Sequence, residues 1–125
     1  MADNFANMSD KIIFKEDEEK FFQKCIENNS IPKNDALKQI VFKRLMKDFD
    51  EKRIYSEQEV NEIIKKHFED YTTLRRELVN FGYMQRDSLK GEYKVVKKEL
   101  TKDDYLKNTL LKRAAISIKI LKEDE

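Results

Sequence analysis

Two glycines, Gly82 and Gly91, and one proline, Pro32, are all that this 125-residue chain offers for tight turns. Soluble chains average roughly 12% of these two residue types, so few turns and long helices are expected, and a β-sandwich or barrel is not. Leu, Ile, Val and Phe together number 34, about 27% of the chain, above the ~20% below which a highly charged sequence tends to stay disordered. One domain with a real core is the default at this length.

Charge and cysteine content narrow the function classes. The 26 basic and 25 acidic residues leave a net charge of +1, which excludes a generic polycation that coats nucleic acid by charge alone. A single cysteine, Cys25, cannot form an internal disulfide, and no zinc ligand set can be assembled around it. The start, MADNFANMSDKIIF, carries acidic residues where a secretion signal needs basic ones, and no stretch reaches the ~18 apolar residues of a membrane span. A cytoplasmic protein without membrane contact is expected.

Periodicity gives the order of elements. Residues 1–15 read as a flexible tail whose Ile12, Ile13 and Phe14 could form an edge strand or clip onto the body. A helix is expected over 16–28, with Phe21, Phe22, Cys25 and Ile26 as its apolar stripe. A second is expected over 35–49, so apolar around Leu37, Ile40, Val41, Phe42, Leu45, Met46 and Phe49 that it should be buried on more than one side. DEKRIY reads as a short charged connection. Ser56 and Glu59 form a capping box that opens a third helix, and Asp70 can cap a fourth over 71–81. Two short helices joined so closely form a helix-turn-helix. Gly82 suits the position after a helix end. Tyr83–Arg86 and Glu92–Val96 then flank a Gly-containing loop, as in a β-hairpin. A last helix opens at Thr101 and runs to about Lys122. The fold class is therefore mainly α with a small β-hairpin, a winged helix-turn-helix over 16–98 with flanking helices, the C-terminal one occupying 99–125.

Three blocks of residues carry a resemblance. They are Arg53-Ile54-Tyr55-Ser56-Glu57-Gln58-Glu59-Val60-Asn61; Asp70 with Leu74-Arg75-Arg76-Glu77-Leu78-Val79; and Arg86, Gly91 and Tyr93. In this order they resemble a bacterial family of domains of unknown function, winged-helix-like and sometimes attached to ArsR-like transcriptional regulators. The resemblance covers roughly residues 31–96. It implies a winged-helix fold and a regulatory role, and brings no ligand or operator.

The candidate site follows from helical geometry. At roughly 100° per residue, Thr72, Thr73, Arg76 and Asn80 fall opposite the apolar face of Tyr71, Leu74, Leu78 and Phe81. In a DNA-binding helix-turn-helix that outer face enters the major groove, where Arg suits guanine and Asn suits adenine. Arg75 lies on the flank, for a phosphate or for a structural pair with Glu59 or Asp70. Arg86, Lys90 and Lys94 are the wing candidates for backbone contact, since residues 75–98 hold seven basic and three acidic groups. Glu77 lies near this surface and should repel phosphates.

Other constellations read as structure. His67 is a lone histidine and Cys25 a small core residue. No glycine-rich loop cradles a nucleotide, and neither an enzyme nor a cofactor is expected. The final helix has more apolar surface than one side of a small domain needs, so Leu111, Ala115, Ile116 and Ile118 are the expected dimer face. The leading expectation is a homodimeric regulator of transcription that binds double-stranded DNA. The alternatives are a protein-docking module, which would expose apolar residues on the fourth helix, and an RNA binder.

Overall fold

The computed structural model describes residues 11–123. Its described part is a mixed α/β unit of six helices and a three-stranded antiparallel sheet. The helices are α1 (Glu18–Glu27), α2 (Asp35–Leu45), α3 (Glu57–Lys65), α4 (Tyr71–Asn80), α5 (Lys102–Lys107) and α6 (Thr109–Ser117). The strands are β1 (Ile54–Ser56), β2 (Met84–Asp87) and β3 (Glu92–Val95), in the spatial order β1-β3-β2. No helix among the described residues is long and apolar enough to cross a membrane.

The expected long helices are in fact short, from 6 to 11 residues. Side chains of Asp, Asn, Ser and Thr stop and start them where Gly and Pro are lacking. Asp17, Asn34, Ser56, Asp70, Thr101 and Asn108 each accept a backbone N–H of the helix that follows. Ser56–Glu59 and Thr101–Asp104 are full capping boxes. At the other ends, Asn29 (φ 49°), Gly82 (φ 92°) and Lys119 (φ 64°) adopt the left-handed backbone. Each donates its N–H two residues inside the helix end, and the next residue donates one further back. Such paired bonds satisfy the otherwise orphaned terminal carbonyls.

The C-terminal segment departs most from expectation. It is two helices, because the Asn108 side chain accepts the N–H of Leu111 and so starts a new helix at Thr109. Helix α6 packs on α2 of its own chain. Helix α2 lies between α1 and α6, which explains why it is apolar nearly all round. Asn34 caps α2 and donates from Nδ2 to the Ala114 carbonyl (3.3 Å) and the Ser117 hydroxyl (3.2 Å), fixing α6 to α2. Leu111 and Ala115 are consequently buried in their own chain, and Ile116 and Ile118 are half-buried against its core. The expectation that these four would face water in a monomer is corrected. Leu110 and Ile54 remain exposed.

The tail boundary also moves. Residues 1–10 lie outside the described part, but Lys11 bridges to Thr101 as an antiparallel pair and Ile12 is buried in the core. The segment expected to be a charged connection after the second helix contains β1, which pairs Ile54, Tyr55 and Ser56 with Lys94, Tyr93 and Glu92. Phe22, Phe42, Phe49, Leu74, Leu78, Tyr83 and Tyr105 fill the single core beneath. A buried polar pair there is satisfied: Tyr83 donates its hydroxyl proton to Gln39, which donates to the Asp35 carbonyl (2.9 Å).

Candidate nucleic-acid interface

Helix α4 and the β2–β3 hairpin form the candidate surface. Asp70 sets the start of α4, its carboxylate accepting the Thr73 N–H at 3.3 Å. Leu74 and Leu78 anchor the inner face, so Thr73, Arg76 and Asn80 stand exposed on the outer one and Thr72 is half-buried at its edge. Arg76 is exposed and makes no ion pair with any described residue.

Glu77, expected to repel phosphates, is turned inward and half-buried, 3.3 Å from the Lys38 ammonium of α2. Burial works against the charge on Lys38, but Glu77 and Asp35 outweigh it and hold the ammonium pKa above its ordinary value. The acidic charge is thus spent inside the protein rather than on the α4 surface.

Arg75 is buried. Its guanidinium donates to Asn61 Oδ1 of α3, and its Nε lies 3.8 Å from Glu57 Oε1. It joins the two helices and is not placed for a phosphate, and its partners are Asn61 and Glu57 instead of the expected Glu59 or Asp70. Glu59 belongs to the capping box and to an ion pair with Arg53. The hydrogen bond from the Ser56 backbone, aided by Arg53, keeps the Glu59 carboxyl below the usual range.

The wing residues do not share a face. Arg86 stands opposite Tyr93, which stands opposite Tyr55, so all three lie on the sheet face turned toward the helices. Lys94 stands in the next row with Gln85 and Ile54, on the outer face. Lys90 occupies the loop, whose shape is fixed by Asp87: its carboxylate accepts the N–H of Leu89 (2.9 Å) and Lys90 (3.2 Å). Gly91 closes the loop at φ 66°, a backbone that favours glycine. Leu89 projects from the tip, 96% exposed.

A polar cluster unforeseen from spacing ties these parts together. Glu57 Oε1, at the start of α3, accepts the Tyr93 hydroxyl proton at 3.0 Å and lies 3.8 Å from Arg75 Nε and 4.0 Å from Arg86 Nε. Burial and the bond to Glu57 raise the Tyr93 phenol above its ordinary pKa, partly offset by the two guanidiniums. One carboxylate thereby joins α3, α4 and both hairpin strands. The only available signal was that Glu57, Asn61, Arg75, Arg86 and Tyr93 all lie in the three residue blocks named above.

The remaining candidates are structural. His67 Nε2 is 2.7 Å from Asp48, and the ring stands edge-on to Phe22. Cys25 is buried, which pushes its thiol pKa up and away from nucleophilic use.

No curated protein and no solved structure matches this chain. The family described as "Uncharacterized protein conserved in bacteria (DUF2087)" matches residues 29–95. That span runs from the end of α1 through β3 and holds α3, α4, the hairpin and the Glu57 cluster, more than half of the chain, which therefore belongs to this family.

Proposed function

We propose that the chain is a winged helix-turn-helix module that binds double-stranded DNA in gene regulation, with α4 in the major groove and the β2–β3 hairpin as the wing. The observation that carries this reading is the outer face of α4, where Thr73, Arg76 and Asn80 are exposed with no apolar side chain among them. A docking helix would present apolar residues there. The element order supports the same reading: α2, β1, α3, α4 and then the hairpin, with β1 completing the sheet. The resemblance to domains sometimes attached to ArsR-like regulators points the same way. Arg76 and Asn80 are the base-reading candidates, with Thr72 and Thr73 beside them. Lys90 and Lys94 supply charge to the backbone from the wing. So few contacts per copy would favour a pair of copies on two half-sites.

The test is binding to duplex DNA at two salt concentrations. Phosphate contact makes log K fall steeply with log salt, by about 0.9 for each phosphate neutralised. Lys90→Gln with Lys94→Gln should flatten that slope by close to 2 and weaken all sequences alike. Arg76→Ala should cost ~1–3 kcal/mol and alter the ranking of sequences. Binding that ignores both salt and these substitutions would refute the reading.

A further inference from the structure

Two guanidiniums share one carboxylate oxygen on Glu57, and they are not equally free to leave it. The Arg75 side chain is only 10% exposed and is held a second time by Asn61, so it cannot follow an outside ligand. The Arg86 side chain is 43% exposed, and 4.0 Å from Glu57 it has an ion pair without a hydrogen bond. Pairs this open are weak and exchange readily. If Arg86 departs, the Glu57 carboxylate, itself 47% exposed, still accepts the Tyr93 hydroxyl and lies 3.8 Å from Arg75 Nε, so it keeps two partners. Arg86 is also the basic strand residue of β2 that shares the helix-side face of the sheet with Tyr93 and Tyr55.

Resting on the DNA-binding reading above, we infer that Glu57 is a specificity-determining residue: it holds Arg86 away from the phosphates of arbitrary DNA. Discrimination between sites is a difference of affinities, so a group that suppresses unspecific contact sharpens it as well as one that adds a specific contact. A phosphate gains Arg86 only when the duplex is seated closely enough to compete with Glu57. Neutralising Glu57 removes the competitor and frees Arg86 for any duplex.

The experiment measures binding of the full chain to random-sequence duplex DNA over a salt series. Glu57→Gln should bind about two- to fivefold more tightly at low salt, the size of an exposed ion pair. Its salt slope should steepen by about 0.9, one added phosphate contact. Arg86→Gln alone should change neither quantity, and in the Glu57→Gln background it should return both to wild-type values. Tyr93→Phe removes a hydrogen bond from Glu57 but no charge, and should leave the slope alone, separating the charge effect from mere loosening. Two results would overturn the inference while leaving DNA binding intact. One is an Arg86→Gln protein whose slope already falls by about 0.9, since Arg86 would then be on a phosphate in the wild type. The other is a folded Glu57→Gln protein with an unaltered slope. Wild-type protein with no salt-dependent binding would overturn the DNA reading itself. The Arg86→Gln arm needs no change at Glu57, so it decides the question even if Glu57→Gln fails to fold.

Discussion

Arg75 and Arg76 are neighbours in sequence with opposite surroundings, and substituting each by alanine should separate folding from binding. Arg75→Ala removes a charge-assisted hydrogen bond to Asn61, worth about 1.5–3 kcal/mol. It also removes the buried part of the aliphatic stem, at ~0.8 kcal/mol per methylene. Glu57 is exposed and keeps Tyr93 and Arg86, so no buried unpaired carboxylate is added to the cost. The net loss should be ~2–4 kcal/mol, with partial relaxation of α3 against α4 keeping it at the lower end. For a domain of this size 1 kcal/mol moves the melting midpoint by about 4 °C, so a fall of roughly 8–16 °C is expected. Arg76→Ala touches no described partner and should melt with the wild type. Thermal unfolding followed by circular dichroism, with urea unfolding as a second measure, reads both. The reasoning fails if Arg75→Ala melts within a degree or two of wild type, or if Arg76→Ala falls as far.

Two further outcomes follow from the core. Leu111→Glu should destabilise the fold by ~3–5 kcal/mol, because it removes a packed leucine and buries a carboxylate; a folded, merely dissociated protein in sedimentation equilibrium would contradict the packing of α6 on α2. Burial raises the pKa of Tyr83 and Tyr105 above the ordinary 10, Tyr83 further by the nearby Tyr105 and by Glu99 and Asp104. The native state then keeps phenolic protons that the unfolded chain releases, so their contribution is complete below pH 10 and is lost as pH rises above it. Urea midpoints should fall as pH rises above 10, with the tyrosinate absorbance of Tyr83 and Tyr105 appearing only on unfolding; ionisation of these two in the native state near pH 10 would refute this.

Local rules were enough to read much of this molecule from its residues. Helix starts at Ser56, Asp70 and Thr101 and the turn at Gly82 depend on side chains within three residues of the backbone groups they satisfy. Sequence spacing alone therefore located them. The same holds for the outward direction of Thr73, Arg76 and Asn80, which follows from helical period once Leu74 and Leu78 face inward. A resemblance to a bacterial domain family of unknown function was legible too, over residues 31–96, close to the 29–95 that match.

What the spacing could not supply were contacts between segments far apart in the chain. Strand β1 exists because Ile54–Ser56 finds the free edge of β3 about 40 positions later. Leu111 and Ala115 looked like surplus apolar surface because the residues that cover them lie in α2, positioned through Asn34. The break at Asn108 was hidden by an apolar pattern that continues unchanged across it, although a single asparagine side chain reverses the local preference there. Arg75 read as a phosphate contact or a structural pair and Arg86 as a wing charge, and only the meeting of α3, α4 and the hairpin at Glu57 separates the buried side chain from the exposed one. A residue's type and period fix which way it points from its own element; the neighbour that neutralises its charge or covers its apolar surface is fixed only when the elements assemble.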